Sequence, residues 1–342
     1  MKNGKVKRYV VPGGAGFLGS HLCDLLLSEG AEVLCIDNLL TGRLQNLRHL
    51  EREPRFDFIK ADISEPLTAH LTPSRLRGAA IFNLACAASP PHYQADPEHT
   101  MLTNVLGTRN LLRLAEDAGA RFLLASTSEI YGDPDVHPQQ EDYWGNVNPT
   151  GPRACYDEGK RAAETLAFDF GRAGRAQVRV ARIFNTYGPR MRADDGRVVS
   201  NVISQALAGD DITIYGDGSQ TRSFCYVDDL VDGLVRLMAL EKEPPGAVNL
   251  GNPSEIRVLD LVARVLALTG SSSRVTNQTL PQDDPRRRRP DITRAQQLLN
   301  WSPRIALETG LPATIRWFAA EKDLTLPMPA APAPDSTSLR LA

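Results

Sequence analysis

The chain has 342 residues, 42% of them hydrophobic and 23% charged, which is ordinary for a globular protein and argues against disorder or a coiled coil. Its net charge of -2 gives no overall attraction to nucleic acid or to an anionic membrane, so we expect a small-molecule partner. No apolar run approaches the roughly 20 residues that span a bilayer, and no apolar signal segment follows the first lysines. We therefore expect a cytoplasmic protein.

Short apolar runs rich in β-branched residues alternate with helical patterns along the first 250 residues. These runs are Val6–Val11, Glu32–Asp37, Phe56–Ala61, Ala80–Ala85, Phe122–Ser126, Val178–Ile183 and Ala247–Leu250. Between the first two, Leu18, Leu22, Leu25 and Leu26 form one apolar helical face, and Gly30 is suited to end that helix. The alternation predicts an α/β fold with a doubly wound parallel sheet of the Rossmann type.

Two further helices are expected near 98–118 and 156–173, and both are apolar on more than one side. The residues concerned are Met101, Val105 and Leu112 in the first, and Ala162, Leu166 and Phe170 in the second. A helix needs only one apolar side to pack on a sheet. The second apolar side of each helix therefore suggests contact with a second subunit, as in a homodimer.

Beyond Ile183 the alternation breaks into pieces marked by glycine and proline, as expected for a smaller interleaved C-terminal lobe that binds substrate. We assign 1–184 and 226–250 to the dinucleotide-binding domain and 185–225 and 251–323 to the second lobe. Residues 324–342, rich in proline and alanine, are expected to form a disordered tail.

The segment GGAGFLG lies between the first predicted strand and its helix, where glycines let backbone N–H groups approach a pyrophosphate. Asp37 ends the second strand, and its carboxylate would accept from a ribose hydroxyl and repel a 2′-phosphate, which favours NAD over NADP. The cofactor contacts that we expect from these two places are Gly13, Gly16, Phe17, Leu18, Gly19, Asp37 and Asn38.

Two nearby side chains, Arg43 and Asp62, each have more than one possible role. Arg43 follows the acidic strand end and would partly accommodate a phosphate, so we include it among the cofactor contacts. Asp62, at the end of the third strand, either meets the adenine or caps the next turn. The five cysteines are an odd number and lie far apart without CxxC pairs, so we expect reduced, mostly buried thiols and no metal site.

Tyr156 and Lys160 stand four residues apart on one face of a predicted helix. An ammonium group and a cationic nicotinamide both favour the phenolate form, so a tyrosine with a pKa near about 10 would become a base closer to neutrality. The spacing alone is common on protein surfaces. It indicates a catalytic pair here because the chain also contains the glycine loop and Thr127, just after the fifth strand.

With these features the chain resembles the extended short-chain dehydrogenase/reductases, and more narrowly the UDP-glucuronate decarboxylases, also called UDP-xylose synthases. The resemblance covers roughly residues 8 to 318. The motifs that carry it are AASPPHY (87–93), ASTSEIYGDP (125–134), YWGNVNPTGPRACYDEGKR (143–161), ARIFNTYGPRM (181–191), DGRVVSN (195–201) and ITIYGDGSQTRSF (212–224).

The resemblance implies a set of roles. Thr127, Glu129, Tyr156, Lys160 and Arg288 would form the catalytic set, with Lys160 also on the cofactor ribose and Arg288 near the substrate carboxylate. The substrate UDP-glucuronic acid would be contacted by Tyr93, Asn185, Arg190, Tyr215, Arg222 and Arg288. The run Arg286–Arg289 is more basic than the family pattern, which leaves open which arginine reaches the substrate or whether the run is a solvated patch or a nucleic-acid contact. Pro12 stands where the family has threonine, removing a backbone donor.

In the reaction that this resemblance implies, Tyr156 removes the C4 hydroxyl proton while NAD takes the C4 hydride. The carboxylate on C5 then lies β to a ketone and is lost as carbon dioxide, after which C5 is protonated and the hydride returns. Glu129, two residues past Thr127, would point to the same side of a strand and handle protons through water. The alternative interpretation is that Glu129 is an exposed carboxylate that starts a helix.

Three other functions compete. A nucleotide-sugar 4-epimerase and a 4,6-dehydratase share the scaffold, but the dehydratases pair an aspartate with the glutamate where this chain has Ser128, and the epimerases generally lack the glutamate. A non-enzymatic NAD-sensing protein would keep the glycine loop and lose Tyr156 and Lys160.

Overall fold

The computed structural model describes residues 7–67, 71–72, 76–285 and 287–324. Its strands are β1 (Arg8–Pro12), β2 (Glu32–Asp37), β3 (Phe56–Lys60), β4 (Ala80–Asn83), β5 (Arg121–Thr127), β6 (Gln177–Ile183), β7 (Thr186–Tyr187), β8 (Ile212–Tyr215), β9 (Thr221–Ser223), β10 (Cys225–Tyr226), β11 (Val248–Leu250), β12 (Glu255–Arg257) and β13 (Val275–Gln278).

The α-helices are α1 (Phe17–Ser28), α2 (Pro90–Ala95), α3 (Pro97–Leu102), α4 (Thr108–Ala118), α5 (Ala154–Arg172), α6 (Val198–Ala208), α7 (Val227–Ala239), α8 (Val258–Thr269), α9 (Thr293–Leu299) and α10 (Leu307–Glu321). Leu44–Leu50 and Ser128–Tyr131 are 3₁₀ turns, and a π-helical turn, Thr103–Gly107, joins α3 to α4. Within the described residues, no helix combines the length and apolar character needed to cross a membrane.

The central sheet contains seven strands in the order β11-β6-β5-β4-β1-β2-β3, and every pairing in it is parallel. These are the seven apolar runs predicted from the sequence, with ends shifted by one or two residues; the predicted run at Val6 begins outside the described residues. The doubly wound Rossmann prediction is therefore confirmed.

Alternate residues of the strands face opposite sides of the sheet and build two separate cores. Val11, Phe82 and Leu123 pack on one side with α1, α7 and α8, whereas Val10 and Phe122 pack on the other with α4 and α5. Because both faces are covered by helices, the strands are apolar almost throughout, which is why they were visible in the sequence.

The first helix ends as its sequence predicted. Gly30 has a positive φ of 82°, and the amides of Gly30 and Ala31 bond to the carbonyls of Leu27 and Leu26. This reversal returns the chain directly into β2.

The second lobe contains three two-stranded sheets, β10-β7, β12-β9 and β13-β8. They lie within the ranges predicted for that lobe, with Tyr226 at the boundary. Its helices α6, α8 and α10 share one continuous apolar core with the sheet face covered by α1 and α7. The expected tail begins at Leu324, and the rest of it lies outside the described residues.

A buried polar network fixes α5 to the carboxyl end of β5. The Glu164 carboxylate accepts hydrogen bonds from Ser126 and from two nitrogens of Arg182, at 3.1 and 2.9 Å. Arg182 also donates to the Tyr131 hydroxyl at 3.0 Å, and that hydroxyl donates to Asn249 at 2.8 Å. The network thus joins the helix that carries Tyr156 to three strands, β5, β6 and β11, and to the 3₁₀ turn after β5.

We expect Glu164→Gln to lower the free energy of unfolding by about 3–5 kcal/mol, because it leaves the buried Arg182 guanidinium without its counter-charge. The matched control is Glu158→Gln on the same helix, whose partly exposed ion pair with Arg161 is worth less than about 1 kcal/mol. Chemical denaturation measures both. Equal losses would show that the network does not hold the helix.

Candidate active site

A single cleft runs along the carboxyl edge of the sheet, from the glycine loop after β1 to the start of α5. Parallel strands bring the loops that follow them to the same edge, so segments distant in sequence meet there. Asp37 after β2, Thr127 at the end of β5 and Tyr156 on α5 all line this cleft, as does Asn185 after β6.

The glycine loop is shaped for close backbone approach. A Cβ on Gly13 would lie 2.7 Å from the backbone of Leu84 and Ala85, and one on Gly19 would lie 2.1 Å from the Gly13 carbonyl oxygen. Helix α1 starts immediately after Gly16 without a side-chain cap, so the amides of its first turn face the cleft. Phe17 and Leu18 also line the cleft. The arrangement fits the pyrophosphate of a dinucleotide.

Asp37 is buried at the end of β2, where its two carboxylate oxygens accept from the amides of Ala15 at 3.0 Å and Leu39 at 2.8 Å. Burial raises the pKa of Asp37, and the two amides partly offset this effect. Gly42 packs against this carboxylate so closely that a Cβ would lie 2.7 Å from it. The fixed carboxylate is placed as a ribose-binding group requires, and its selectivity against NADP stays a prediction.

Asp62 caps a turn, which was one of its two predicted roles. Its Oδ1 accepts from the amide and hydroxyl of Ser64, while Oδ2 accepts from Asn38 at 2.7 Å and lies 2.8 Å from His99 Nε2. Although burial opposes it, these hydrogen bonds lower the pKa of Asp62 to about 2. Asn38, Asp62 and His99 all line the cleft, and contact with an adenine stays a prediction.

Arg43 lies against the C-terminal helix. Its guanidinium lies 5.6 Å from the ring centre of Trp317 and 3.4 Å from the carboxylate of Glu321, both on α10. The cofactor contact of Arg43 stays a prediction.

Tyr156 and Lys160 lie in the first two turns of α5 and are both buried. Lys160 Nζ donates to the carbonyl oxygen of Ala125 at 2.9 Å and lies 5.8 Å from the centre of the Tyr156 ring. Thr127 lines the same cleft as Tyr156 and Lys160. The predicted pair and its threonine are thus brought together at the end of β5.

Burial governs the pKa values of the pair in the protein without cofactor. It raises the pKa of Tyr156 well above its ordinary value, and only Thr127 among the main influences lowers that pKa. Burial also lowers the pKa of Lys160. The ammonium group alone therefore does not make Tyr156 a base near neutrality, and the positive charge of a bound nicotinamide has to contribute.

Tyr93 packs against Tyr156. The two rings are stacked nearly parallel with centres 5.0 Å apart, and Tyr93 is 1% exposed. Among the described residues, its buried hydroxyl has no hydrogen-bond partner. A substrate contact for Tyr93 stays a prediction.

Glu129 lies in the 3₁₀ turn after β5, so the strand alternation used to predict its direction does not apply. The Thr127 hydroxyl accepts from the Glu129 amide at 3.1 Å, which turns the side chain back into the cleft. Its carboxylate binds Arg153 Nη2 at 2.6 Å and Arg288 Nη1 through the other oxygen. The alternative of an exposed helix-starting carboxylate is wrong.

The described arginines of the basic run have different partners. Arg288 is 5% exposed and bonded to Glu129, whereas Arg289 is directed toward Glu255 and Arg287 lines a separate hollow beside Arg222. Arg286 lies outside the described residues. Among the described residues, the buried Arg288 Nη2 has no hydrogen-bond partner. The contact of Arg288 with the substrate carboxylate stays a prediction.

The remaining predicted substrate residues fall into two places. Asn185 and Arg190 line the main cleft, and Arg190 is also paired with Asp24 of α1 at 2.7 Å. Arg222 lines the neighbouring hollow and is paired with Asp284 at 2.9 Å, while Tyr215 is partly exposed at the end of β8. Their contacts with a nucleotide stay predictions.

Two arginines of this region were missed in the sequence. Arg153 precedes Tyr156 by three residues, a spacing that places it on the same side of a helix start. Arg197 lines the cleft just before α6 and is bonded to Asp195. Arg197 lay within a quoted motif, but no pattern in the sequence marked it as part of the site.

The described residues contain no group of three or more histidine, cysteine, aspartate or glutamate side chains arranged to hold a metal ion. All five cysteines are free; Cys23, Cys35 and Cys225 are buried, and Cys86 and Cys155 are partly buried.

Residues 9–251 match the model of the NAD dependent epimerase/dehydratase family. UDP-glucuronic acid decarboxylase 1 of Arabidopsis thaliana is 54% identical over 311 residues, covering 91% of this chain and 69% of that protein. UDP-glucuronic acid decarboxylase 1 of Danio rerio is 52% identical and covers 92% of this chain and 73% of that protein. The chain belongs to the UDP-glucuronic acid decarboxylase family.

Solved structures agree with this placement at the level of the fold. UDP-glucuronic acid 4-epimerase of Bacillus cereus, in complex with UDP-glucuronic acid and NAD, superposes with a TM-score of 0.81 at 28% identity, covering 92% of this chain and 99% of that chain. The dTDP-glucose 4,6-dehydratase DesIV of Streptomyces venezuelae, with NAD and TYD bound, has a TM-score of 0.83 at 28% identity, covering 92% and 98%. Epimerases and dehydratases thus share the decarboxylase scaffold at lower identity.

Proposed function

We propose that this protein decarboxylates UDP-glucuronic acid to UDP-xylose. The observation that carries this proposal is the proximity of an oxidation centre in the main cleft to a buried arginine that is ion-paired with Glu129 of the same cleft. Tyr156 and Thr127 form the first, and Arg288 with its unpaired nitrogen forms the second. The 52–54% identity to proteins named UDP-glucuronic acid decarboxylases supports the same conclusion.

Tyr156 acts first, as the base that takes the proton of the C4 hydroxyl. Thr127 lines the same cleft and would direct that transfer by a hydrogen bond to the reacting oxygen. Bound NAD supplies the hydride acceptor for C4, the hydride that later returns, and a positive charge that favours the phenolate. The glycine loop, Asp37 and Lys160 are the groups of this chain that would hold it.

The carboxylate on C5 is then β to a ketone, and it leaves as carbon dioxide with its bonding electrons passing into the enolate at C4. Tyr156, now protonated, and Thr127 are placed to donate hydrogen bonds to that oxygen. Because charge develops there only during the reaction, donors fixed in advance by packing stabilise the transition state more than the substrate.

Glu129 serves the protonation of C5. Although burial opposes it, Arg288 and Arg153 lower the pKa of Glu129 to about 2. At neutral pH the group is therefore a carboxylate that accepts hydrogen bonds and orients a water molecule, while the proton added at C5 comes from solvent. One proton is consumed and one carbon dioxide is released in each cycle.

The same scaffold would serve a 4-epimerase or a 4,6-dehydratase, and the glycine loop alone would serve an NAD-sensing protein. The retained Tyr156 and Lys160 argue against the last, and Ser128 in place of the dehydratase aspartate argues against the second. Identity to named decarboxylases, well above the identity to the epimerase and dehydratase structures, favours decarboxylation over all three.

The direct test is release of carbon dioxide from UDP-glucuronic acid labelled in its carboxylate, with NAD present. We expect Tyr156→Phe to lower turnover at least about a hundredfold while nucleotide binding persists, because the ring's packing on Tyr93 is kept and only the acid–base group is lost. Calorimetry with UDP is the control for binding. A wild-type protein that releases no carbon dioxide would refute the proposed function.

Heavy water separates the competing reactions on this scaffold. We expect one deuterium at C5 of UDP-xylose, since solvent replaces the carboxylate there, and none at C4, since the hydride leaves and returns without meeting water. Proton NMR of the product reads both positions. Simple epimerisation would label neither carbon, and a dehydratase would label C6 and keep all six carbons.

The protein is further proposed to be a homodimer. Leu112 and Phe170 of the predicted second face are buried within the chain, but Met101, Val105, Ala162 and Leu166 are partly exposed. With Leu102, 38% exposed, they form an apolar face along α3, the π-helical turn and α5. A second copy of the same face would cover it. The cytoplasmic location likewise stays a prediction.

We expect sedimentation of the wild-type protein to give about twice the chain mass of 37.4 kDa, and Leu102→Glu with Leu166→Glu to give the monomer. Leu298→Glu is the matched control, since Leu298 is 37% exposed on α9, outside this face. A dimer that survives the double substitution would exclude this face as the interface.

A further inference from the structure

Five side chains of alternating charge form one connected chain beside the cleft. They are Arg288, Glu129, Arg153, Asp284 and Arg222 in that order. Arg153 is the middle member: its Nη2 lies 2.6 Å from Glu129 and its Nη1 lies 3.1 Å from Asp284. One guanidinium thus binds a carboxylate of the dinucleotide-binding domain and a carboxylate of the substrate lobe.

The backbone of Arg153 is tied to the catalytic tyrosine as well. Its carbonyl oxygen accepts from the amides of Tyr156 at 3.0 Å and Asp157 at 3.1 Å, in the first turn of α5. The side chain and the main chain of this one residue therefore fix Glu129 relative to Tyr156.

Stability alone does not account for such a network. Arg153 is 7% exposed and its Nε is buried without a partner, so part of the cost of burying the charge is not recovered. Buried ion pairs are often no more stabilising than apolar residues of the same volume. A buried arginine that bonds one carboxylate of the main cleft and one of the neighbouring hollow is better explained by the positions that it imposes on them.

We propose that Arg153 is a positioning residue for the decarboxylation, which keeps Glu129 ionised and fixed beside Tyr156 and Thr127. Its second contact, through Asp284, holds the segment that carries Arg288 against the catalytic centre. The inference rests on the proposed function, because it assigns Arg153 a part in the protonation step.

Arg153 acts on the charge of Glu129 together with other groups that face it. Cations come from the 280s segment, β9 and the start of α6, and acidic or phenolic groups come from α2 and α5. These groups are Arg288, Arg222, Arg197, Tyr93, Tyr156 and Asp157. Burial raises the pKa of Asp157 to about 8, so at neutral pH this neighbour is mainly uncharged and adds little repulsion.

Removing the positive charge of Arg153 should change the pKa of Glu129 in one direction. Glu129 has its pKa lowered by Arg288 and Arg153 against the opposing effect of burial. When Arg153 is replaced by an uncharged residue, less positive charge opposes the effect of burial, and the pKa of Glu129 rises. A reaction that needs the ionised carboxylate then loses activity at a higher pH than the wild-type protein does.

The experiment measures carbon dioxide release as a function of pH and UDP-glucuronic acid concentration in four variants of the full chain with NAD. Arg153→Met should lower kcat at least about tenfold and move its acid limb upward by about one pH unit or more. Arg153→Lys keeps the charge, so its acid limb should stay near the wild-type value, but one ammonium replaces a two-armed contact and kcat should recover only in part.

Asp284→Asn tests the second contact. It leaves the Arg153–Glu129 pair intact, so we expect KM to rise severalfold without movement of the acid limb. Arg172→Met is the matched control on the same helix, because Arg172 is 68% exposed and bonds only Asp169 in its own helix among the contacts described. Its kcat, KM and pH profile should equal those of the wild-type protein.

The outcomes distinguish a failure of the positioning role of Arg153 from a failure of the proposed decarboxylase function. If the wild-type protein releases no carbon dioxide, the proposed function fails; if it does and Arg153→Met keeps the wild-type acid limb, the positioning role fails and Arg153 is only structural. Should Arg153→Met not fold, as judged by circular dichroism, Arg153→Lys decides. Wild-type kcat and KM in that variant would overturn the two-armed positioning role.

Discussion

The parallel arrangement of the seven central strands is the constraint on which the site depends. Parallel strands end at one edge, so the turns after β1, β2, β5 and β6 open into the same cleft although the ends of β1 (Pro12) and β6 (Ile183) are 171 residues apart in sequence. The edge is also where α1 begins, and the amides of a first helical turn have no carbonyl partner within the helix. An anionic cofactor and a nucleotide sugar would therefore bind at the edge where these backbone N–H groups have no hydrogen-bond partner within the helix.

Charge inside this cleft is controlled mainly by burial. Burial raises the pKa values of Tyr156 and Asp157 and lowers that of Lys160, so these groups tend toward their neutral forms in the protein alone. Glu129 and Asp62 are exceptions, because two guanidinium groups outweigh the desolvation of Glu129 and hydrogen bonds outweigh that of Asp62. In the catalytic part of the cleft, an ionised Glu129 therefore lies near a phenol that ionises only when a further positive charge is bound. This division suits a reaction that starts only when cofactor and substrate are both bound.

Packing behind the catalytic groups matters as much as the groups themselves. Tyr93 stacks on Tyr156, and the Glu164–Arg182 network anchors α5 to the sheet. Arg153 extends this support into the substrate lobe through Asp284. Because the second lobe shares a continuous apolar core with one face of the sheet, these polar contacts are set on a rigid base. A catalytic geometry held to within tenths of an ångström requires such support.

The sequence by itself determined the parallel sheet, the glycine loop with Asp37, and the grouping of Thr127, Tyr156 and Lys160, because strand periodicity and short motifs are local in the chain. Local patterns did not place Tyr93 behind Tyr156, turn Arg43 toward Trp317, or choose Arg288 from its basic run. Those outcomes depend on contacts between segments far apart in sequence, and so does the position of Arg153 between Glu129 and Asp284. Only the folded chain decides which of several chemically equivalent arginines meets a given carboxylate.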